Sequence, residues 1–257
     1  MDVLLIKLLL TPLLIAALTL IGRRWGPTAS GAVAGLPLTS GPVSVFLALE
    51  QGKIFAAYAA IGTLAGMIAV GAFCLAYSVA ASRRNGIISA FAGIAAFLTF
   101  ASFLLTAPFP LFATFIIVVL FLAVVLSIIP KGGGSDGKPV VLAAAKWDLP
   151  LRIVIATGLV FLLTAAAPKL GPQITGLVSP FPIFGGVLAV FAHRHLGSGH
   201  AQRVLRSVVL AFFAFAAFFL IVGAMLPRYG CVVTYSIAAV AALSLNALLF
   251  AQLRRKL

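Results

Sequence analysis

GPTASGAVAGLPLTSGPVSVF at residues 26–46 recurs as GPQITGLVSPFPIFGGVLAVF at residues 171–191. At a constant shift of 145, Gly26, Pro27, Gly31, Val33, Pro37, Gly41, Val45 and Phe46 meet Gly171, Pro172, Gly176, Val178, Pro182, Gly186, Val190 and Phe191. Apolar helices resemble one another by chance, because they draw on few residue types. Matched Gly and Pro are rarer, since each fixes a backbone event: a tight approach or unusual dihedral for Gly, a missing N–H donor for Pro. The alignment runs without a gap over 3–46 and 148–191, with Lys7 opposite Arg152 and Arg24 opposite Lys169. Further on, Arg84-Asn85-Gly86 resembles Arg228-Tyr229-Gly230 at a shift of 144. The chain reads as two copies of one unit.

Composition says what surrounds the copies. Of 257 residues, 63% are hydrophobic and 9% charged, and mean hydropathy is +1.23. Soluble domains carry about 25% charged residues. A soluble enzyme, a secreted disulfide scaffold and a disordered chain are therefore excluded, and an all-α polytopic membrane protein remains. A spanning helix needs roughly 20 apolar residues. Nine stretches meet that length: 3–21, 27–49, 54–80, 86–106, 108–129, 149–167, 172–192, 207–226 and 231–252. Pro108 and Pro110 separate the fourth from the fifth. The Gly-rich segment 130–148 is the one real linker.

The net charge of +14 belongs to short gaps between apolar runs, not to a basic domain, so it orients a membrane protein and implies no nucleic-acid partner. With nine spans, fourteen of the 18 Lys and Arg fall on one side, leaving Lys7, Lys53, Lys169 and Arg228 on the other. Treating 27–49 and 172–192 as re-entrant loops erases that bias. The charges therefore predict nine transmembrane helices, N-terminus outside and C-terminus cytoplasmic, with Trp25 and Trp147 at the cytoplasmic interface. Only Asp2 precedes the first apolar run, and Arg23-Arg24 follow it, which argues for an anchored first helix over a cleaved signal peptide.

Each copy holds four helices. Repeat 1 covers 1–106, a linker helix and loop cover 107–148, and repeat 2 covers 149–257. Five crossings precede the second copy, so it enters upside down. The charges agree: Arg23-Arg24 have only Lys169 as counterpart, whereas Lys53 corresponds to a loop with Arg194, Arg203 and Arg206. Two inverted four-helix repeats are a recurring construction of secondary transporters.

GRRWGPTASGAVAGLPLTSGPVSVFLALEQG at 22–52, with its AGLPLTS-x-P pattern, resembles the small inner-membrane proteins of the GlpM type and related longer bacterial membrane proteins. The resemblance is specific over about 1–105 and weaker in the second repeat. It implies a bacterial inner (plasma) membrane and supplies no substrate or site residues. Paired four-helix units are also analogous in architecture to drug/metabolite transporters. Small multidrug transporters use an acid buried in the first helix, and spans 1 and 6 have none, which puts proton exchange of that kind in doubt.

Interrupted helices at matching repeat positions point to a transport site. The substrate-binding candidates are Pro37, Thr39, Ser40, Gly41 and Pro42 in the second stretch, and Ser179, Pro180, Pro182, Gly185 and Gly186 in the seventh. Ser44 and Thr175 add hydroxyls. Each proline frees a carbonyl that must find a partner or line a wet cavity. The same residues equally suit kinks for close packing. Glu50, beside Lys53, reads as a surface acid, and His193, His195 and His200 read as solvated loop residues. Gly62-xxx-Gly66 suits close helix contact within one protomer or in a homodimer. Cys74 and Cys231 show no metal-ligand spacing, and no triad, paired carboxylates or nucleotide loop occurs, so neither enzyme activity nor metal or cofactor is expected.

The expected function is a small secondary transporter or exporter of a small solute, working by alternating access between the repeats, in contact with the lipid bilayer. The alternative is a non-transporting inner-membrane scaffold or accessory protein of envelope or polysaccharide assembly.

Overall fold

The computed structural model describes Pro12, Leu13, Ala16, Pro37 and residues 39–105, 110–130 and 148–254. Most of the first expected span, the start of the second, Trp25, Trp147 and most of the linker lie outside the described residues. Eight helices follow in order: α1 Ser40–Glu50, α2 Lys53–Ala81, α3 Gly86–Leu104, α4 Leu111–Ile128, α5 Asp148–Val178, α6 Ile183–Leu196, α7 Ser198–Tyr229 and α8 Cys231–Arg254. There are no strands among the described residues. Among the described residues six helices, α2, α3, α4, α5, α7 and α8, are long and apolar enough to cross a membrane. The chain is an all-helical, multi-pass membrane protein.

The second expected span is described only in part, and the seventh takes another form. The described part of 27–49 is α1, whose 11 residues reach only about 16 Å at 1.5 Å per residue. The stretch 172–192 is divided. Its first part, up to Val178, continues α5 across a sharp kink at Gly171 (φ 74, ψ 169), and its second part belongs to α6. Pro180 and Pro182 carry no N–H and stop helix propagation between them.

Local chemistry fixes the corners. Gly52 (φ 92) precedes α2, Gly197 (φ 88) precedes α7 and Gly230 (φ 78) precedes α8, each in the left-handed half of dihedral space where a Cβ is strained. Asn85 caps α3, accepting the Ile88 N–H at 2.9 Å. Pro110 opens α4, where a missing N–H costs nothing.

Helix α2 is the central post. It packs against α1, α3, α4, α5 and α7. Of its most apolar 18 residues, 83% are buried, against 22% in α4 and in α8. A helix apolar all round and rich in Ala and Gly suits that place. Helix α4 instead buries Thr114, Val118, Leu122 and Val125 and leaves Phe112, Ile116, Leu120 and Val124 exposed, a stripe of the kind that faces lipid.

Helices α2 and α7 run antiparallel. Gln202, near the start of α7, donates to the Ser78 carbonyl (3.0 Å) and the Ser82 hydroxyl (3.2 Å) at the end of α2. At the far end, the Lys53 ammonium that opens α2 lies beside Gly230, just past α7. The starts of α2 and α7 are 145 residues apart, as are those of α3 and α8 and the positive-φ pair Gly52 and Gly197. Contacts match as well: α1 with α2 and α6 with α7, α2 with α3 and α7 with α8, α1 with α8 and α6 with α3, and α4 with both α2 and α7.

Candidate functional site

The break between α5 and α6 is built from Ser179-Pro180-Phe181-Pro182. Pro180 and Pro182 withhold the donors that a continuous helix would bring to the carbonyls of Gly176 and Val178. Both carbonyls are taken by tighter bonds instead: Ser179 N–H donates to Gly176 (3.1 Å) and Phe181 N–H to Val178 (3.0 Å). The freed carbonyls expected to line a cavity are, for this pair, turned into the break's own backbone bonds. Beyond it, Gly186 N–H donates to Pro182 O at 2.7 Å. The same bond, with the same length, joins Gly41 N–H to Pro37 O at the start of α1. Pro42 sits in the first turn of α1 and interrupts nothing.

The hydroxyls differ from those of intact helices. Thr63, Thr114 and Thr164 return theirs to the carbonyl four residues back, at 2.8–3.0 Å. Ser40, the first residue of α1, and Ser179, which opens the α5–α6 break, are each 1% exposed and have no hydrogen-bond partner. Ser78, Thr157 and Thr234, inside continuous helices, are also unpartnered. Thr39 makes no side-chain cap bond. Ser44 is bonded to Tyr235 at 2.8 Å, and Thr175 donates to Gly171 O at 2.7 Å.

Two cavities adjoin the divided helix. One of about 390 Å³ lies by the kink, lined by Tyr58, Gly62, Pro110, Pro172 and Gln173. The other, about 440 Å³, lies by the second half and includes Pro182 and Gly186 in its wall. Gly185 faces Val208 of α7 instead. Pro37, Thr39, Ser40, Gly41, Pro42, Ser179 and Pro180 line neither cavity.

The segment between kink and break is held rigidly. A Cβ on Gly62 would meet the Gln173 carbonyl oxygen, one on Gly66 the Leu177 carbonyl oxygen, and one on Gly176 the Ala59 carbonyl oxygen, all far inside van der Waals contact. Residues 62 and 66 thus face 173 and 177, and the two helices touch backbone to backbone. The Gly62-xxx-Gly66 motif is used within one protomer. Such approach is the usual role of small residues in membrane helices.

The histidines need correction. His193 and His195 lie in the last turn of α6 and His200 in the first turn of α7, because Gly197 alone separates the two helices. His193 is half-buried, 3.5 Å from the Tyr77 hydroxyl, and His195 packs on Phe191 with ring centroids 4.3 Å apart. Glu50 is exposed. No group of three metal-binding side chains occurs among the described residues.

Two residues that loop-charge reasoning treated only as charges or passed over are structural. Arg206 Nη1 donates to the carbonyls of Leu126 and Ile129 (3.0 Å to the latter), capping the end of α4, and Gln202 does the same for α2. A Gln one turn and an Arg two turns into a helix that then becomes apolar were the available signal.

No protein-family model, curated protein or solved structure matches the chain.

Proposed function

We propose that the protein is a small secondary transporter or exporter, in which two inverted repeats, 1–106 and 149–257, alternate access to a small polar solute. The observation that carries this is the pair of buried, unpartnered hydroxyls, Ser40 and Ser179, beside two proline breaks that share one backbone bond. Buried polar groups in proteins are nearly always partnered, and an exception calls for an explanation, which here is a solute or water that enters at the breaks. The antiparallel run of α2 and α7, with helix starts 145 residues apart, supports the inverted relation. Because the part of α5 after the kink is clamped to α2, the moving parts in this scheme are α1 and α6. The glycines that precede α2 and follow α6, Gly52 and Gly197, serve as hinges.

The test uses single cysteines at 40 and 185 in a chain whose Cys74 and Cys231 are replaced by Ala. Both positions should react with water-soluble thiol reagents in membranes, with one side favoured for each. If both resist while loop cysteines react, the breaks are packing devices, as the locally satisfied carbonyls of Gly176 and Val178 would suit, and the transport reading falls.

The proposed location is a bacterial inner membrane, N-terminus outside and C-terminus cytoplasmic. Support comes from the resemblance of 22–52 and from the way charge collects. Arg83, Arg84, Arg194, Arg203 and Arg206 gather where α2 and α6 end and α7 begins, while Lys53 and Arg228 mark the other end of α2 and α7. A fluorescent protein fused to the C-terminus should glow and alkaline phosphatase there should be inactive. The reverse pattern would invert the topology.

A further inference from the structure

We propose that the slot between α3 and α6 is a binding site for an anionic phospholipid, with one acyl chain in the slot and the phosphate on Arg194 and His195. The site does not depend on transport. Its cavity, about 440 Å³, falls within the roughly 300–1,000 Å³ of ordinary ligand sites. The walls are apolar: Phe73 of α2, Ala90 and Ile94 of α3, and Val187 and Val190 of α6. Phe181, stacked edge-on against Phe97 at 4.8 Å, lines its inner end.

Length and charge select the occupant. From Pro182 to Arg194 the helix rises about 18 Å at 1.5 Å per residue. One leaflet of a bilayer core is about 15 Å thick, half of about 30 Å. The slot therefore runs from the membrane surface to mid-depth, the reach of one acyl chain. At the surface end stand Arg194 and His195, both exposed, and no acidic residue lines the cavity. His193, on the same turn, adjoins Gly86, so the corner that carries the exposed Arg83 and Arg84 adds to the positive rim. A guanidinium binds phosphate through two parallel N–H donors, and the positive rim repels the choline ammonium that a zwitterionic headgroup carries beside its phosphate, which favours an anionic one. At the slot's mouth Val187 is 50% exposed, so the chain can enter sideways from the bilayer.

The full chain, purified in detergent, is titrated with phosphatidylglycerol and with phosphatidylcholine and read by native mass spectrometry. Phosphatidylglycerol should bind about tenfold more tightly, and Arg194→Ala with His195→Ala should remove most of that preference. Val187→Trp, which fills the mouth without touching the core, should abolish retention of both lipids. Soluble glycerol phosphate should not displace the lipid. The proposal is overturned if phosphatidylcholine binds equally well, if the charge variant keeps the preference, or if Val187→Trp retains lipid. Displacement by glycerol phosphate at comparable concentration would also overturn it, by reducing the site to a phosphate contact alone.

Discussion

Gly176→Leu is expected to prevent stable assembly of the bundle. A side chain at 176 points at the Ala59 carbonyl oxygen and at Thr63 N, which lies 2.9 Å from the Cβ position. Neither is a side-chain tip that can swing aside, so α5 and α2 must separate along their whole contact. Ordinary overpacking costs about 1–3 kcal/mol, and a rigid backbone obstacle belongs at or above that upper end. Even Gly176→Ala adds the offending atom and should lower the thermal midpoint of the detergent-purified protein markedly. Gly158→Ala, in the same helix, is the matched control: its Cβ would meet nothing within 4 Å, and relief of glycine's entropy should stabilise by about 0.5–1 kcal/mol. Equal midpoints for the two alanine variants would refute the close approach of α2 and α5.

Arg206→Leu carries the second large effect. The last carbonyls of a helix have no partner within it, and those of Leu126 and Ile129 are satisfied by this guanidinium from α7. A cation at that end also complements the helix dipole. Hydrogen bonds from a charged donor contribute about 1.5–3 kcal/mol each, and their loss here leaves two carbonyls to find water. At the low end, about 3 kcal/mol for the two bonds, the unfolding midpoint should drop by about 6–12 °C, taking roughly 2–4 °C per kcal/mol for a chain of this size. Arg206→Lys keeps the charge but loses the fork, and should recover only part of the loss. A midpoint unchanged in Arg206→Leu would show that α4 does not depend on this cap.

Membrane residence and the places of most long helices were legible because they depend on local quantities. Twenty apolar residues in a row cannot be hidden elsewhere, and Asn85 and the glycines before α2, α7 and α8 mark their corners within a few residues of the chain. The expected stretches 54–80, 86–106 and 231–252 accordingly lie close to α2, α3 and α8. In the punctuation shared by 26–46 and 171–191, Pro37 and Pro182 each accept from the N–H of the glycine four residues on, and Pro182 stands at the break between α5 and α6.

What the local pattern left open was the partner of each freed or exposed group. Hydropathy sums over a window and cannot tell a continuous span from two half-helices, so 172–192 read as one crossing until Pro180 and Pro182 divided it and Gly171 joined its first half to α5. Proline says that a donor is missing, not which neighbour replaces it, and the tight bonds of Ser179 and Phe181 depend on the path of the break. Arg206 counted in the sequence as loop charge, because the carbonyls it caps lie 80 and 77 residues away. The backbone contact of Gly176 with Ala59 likewise joins segments far apart in the chain. Such pairings are set by packing distance between helices, a quantity that no run of consecutive residues contains.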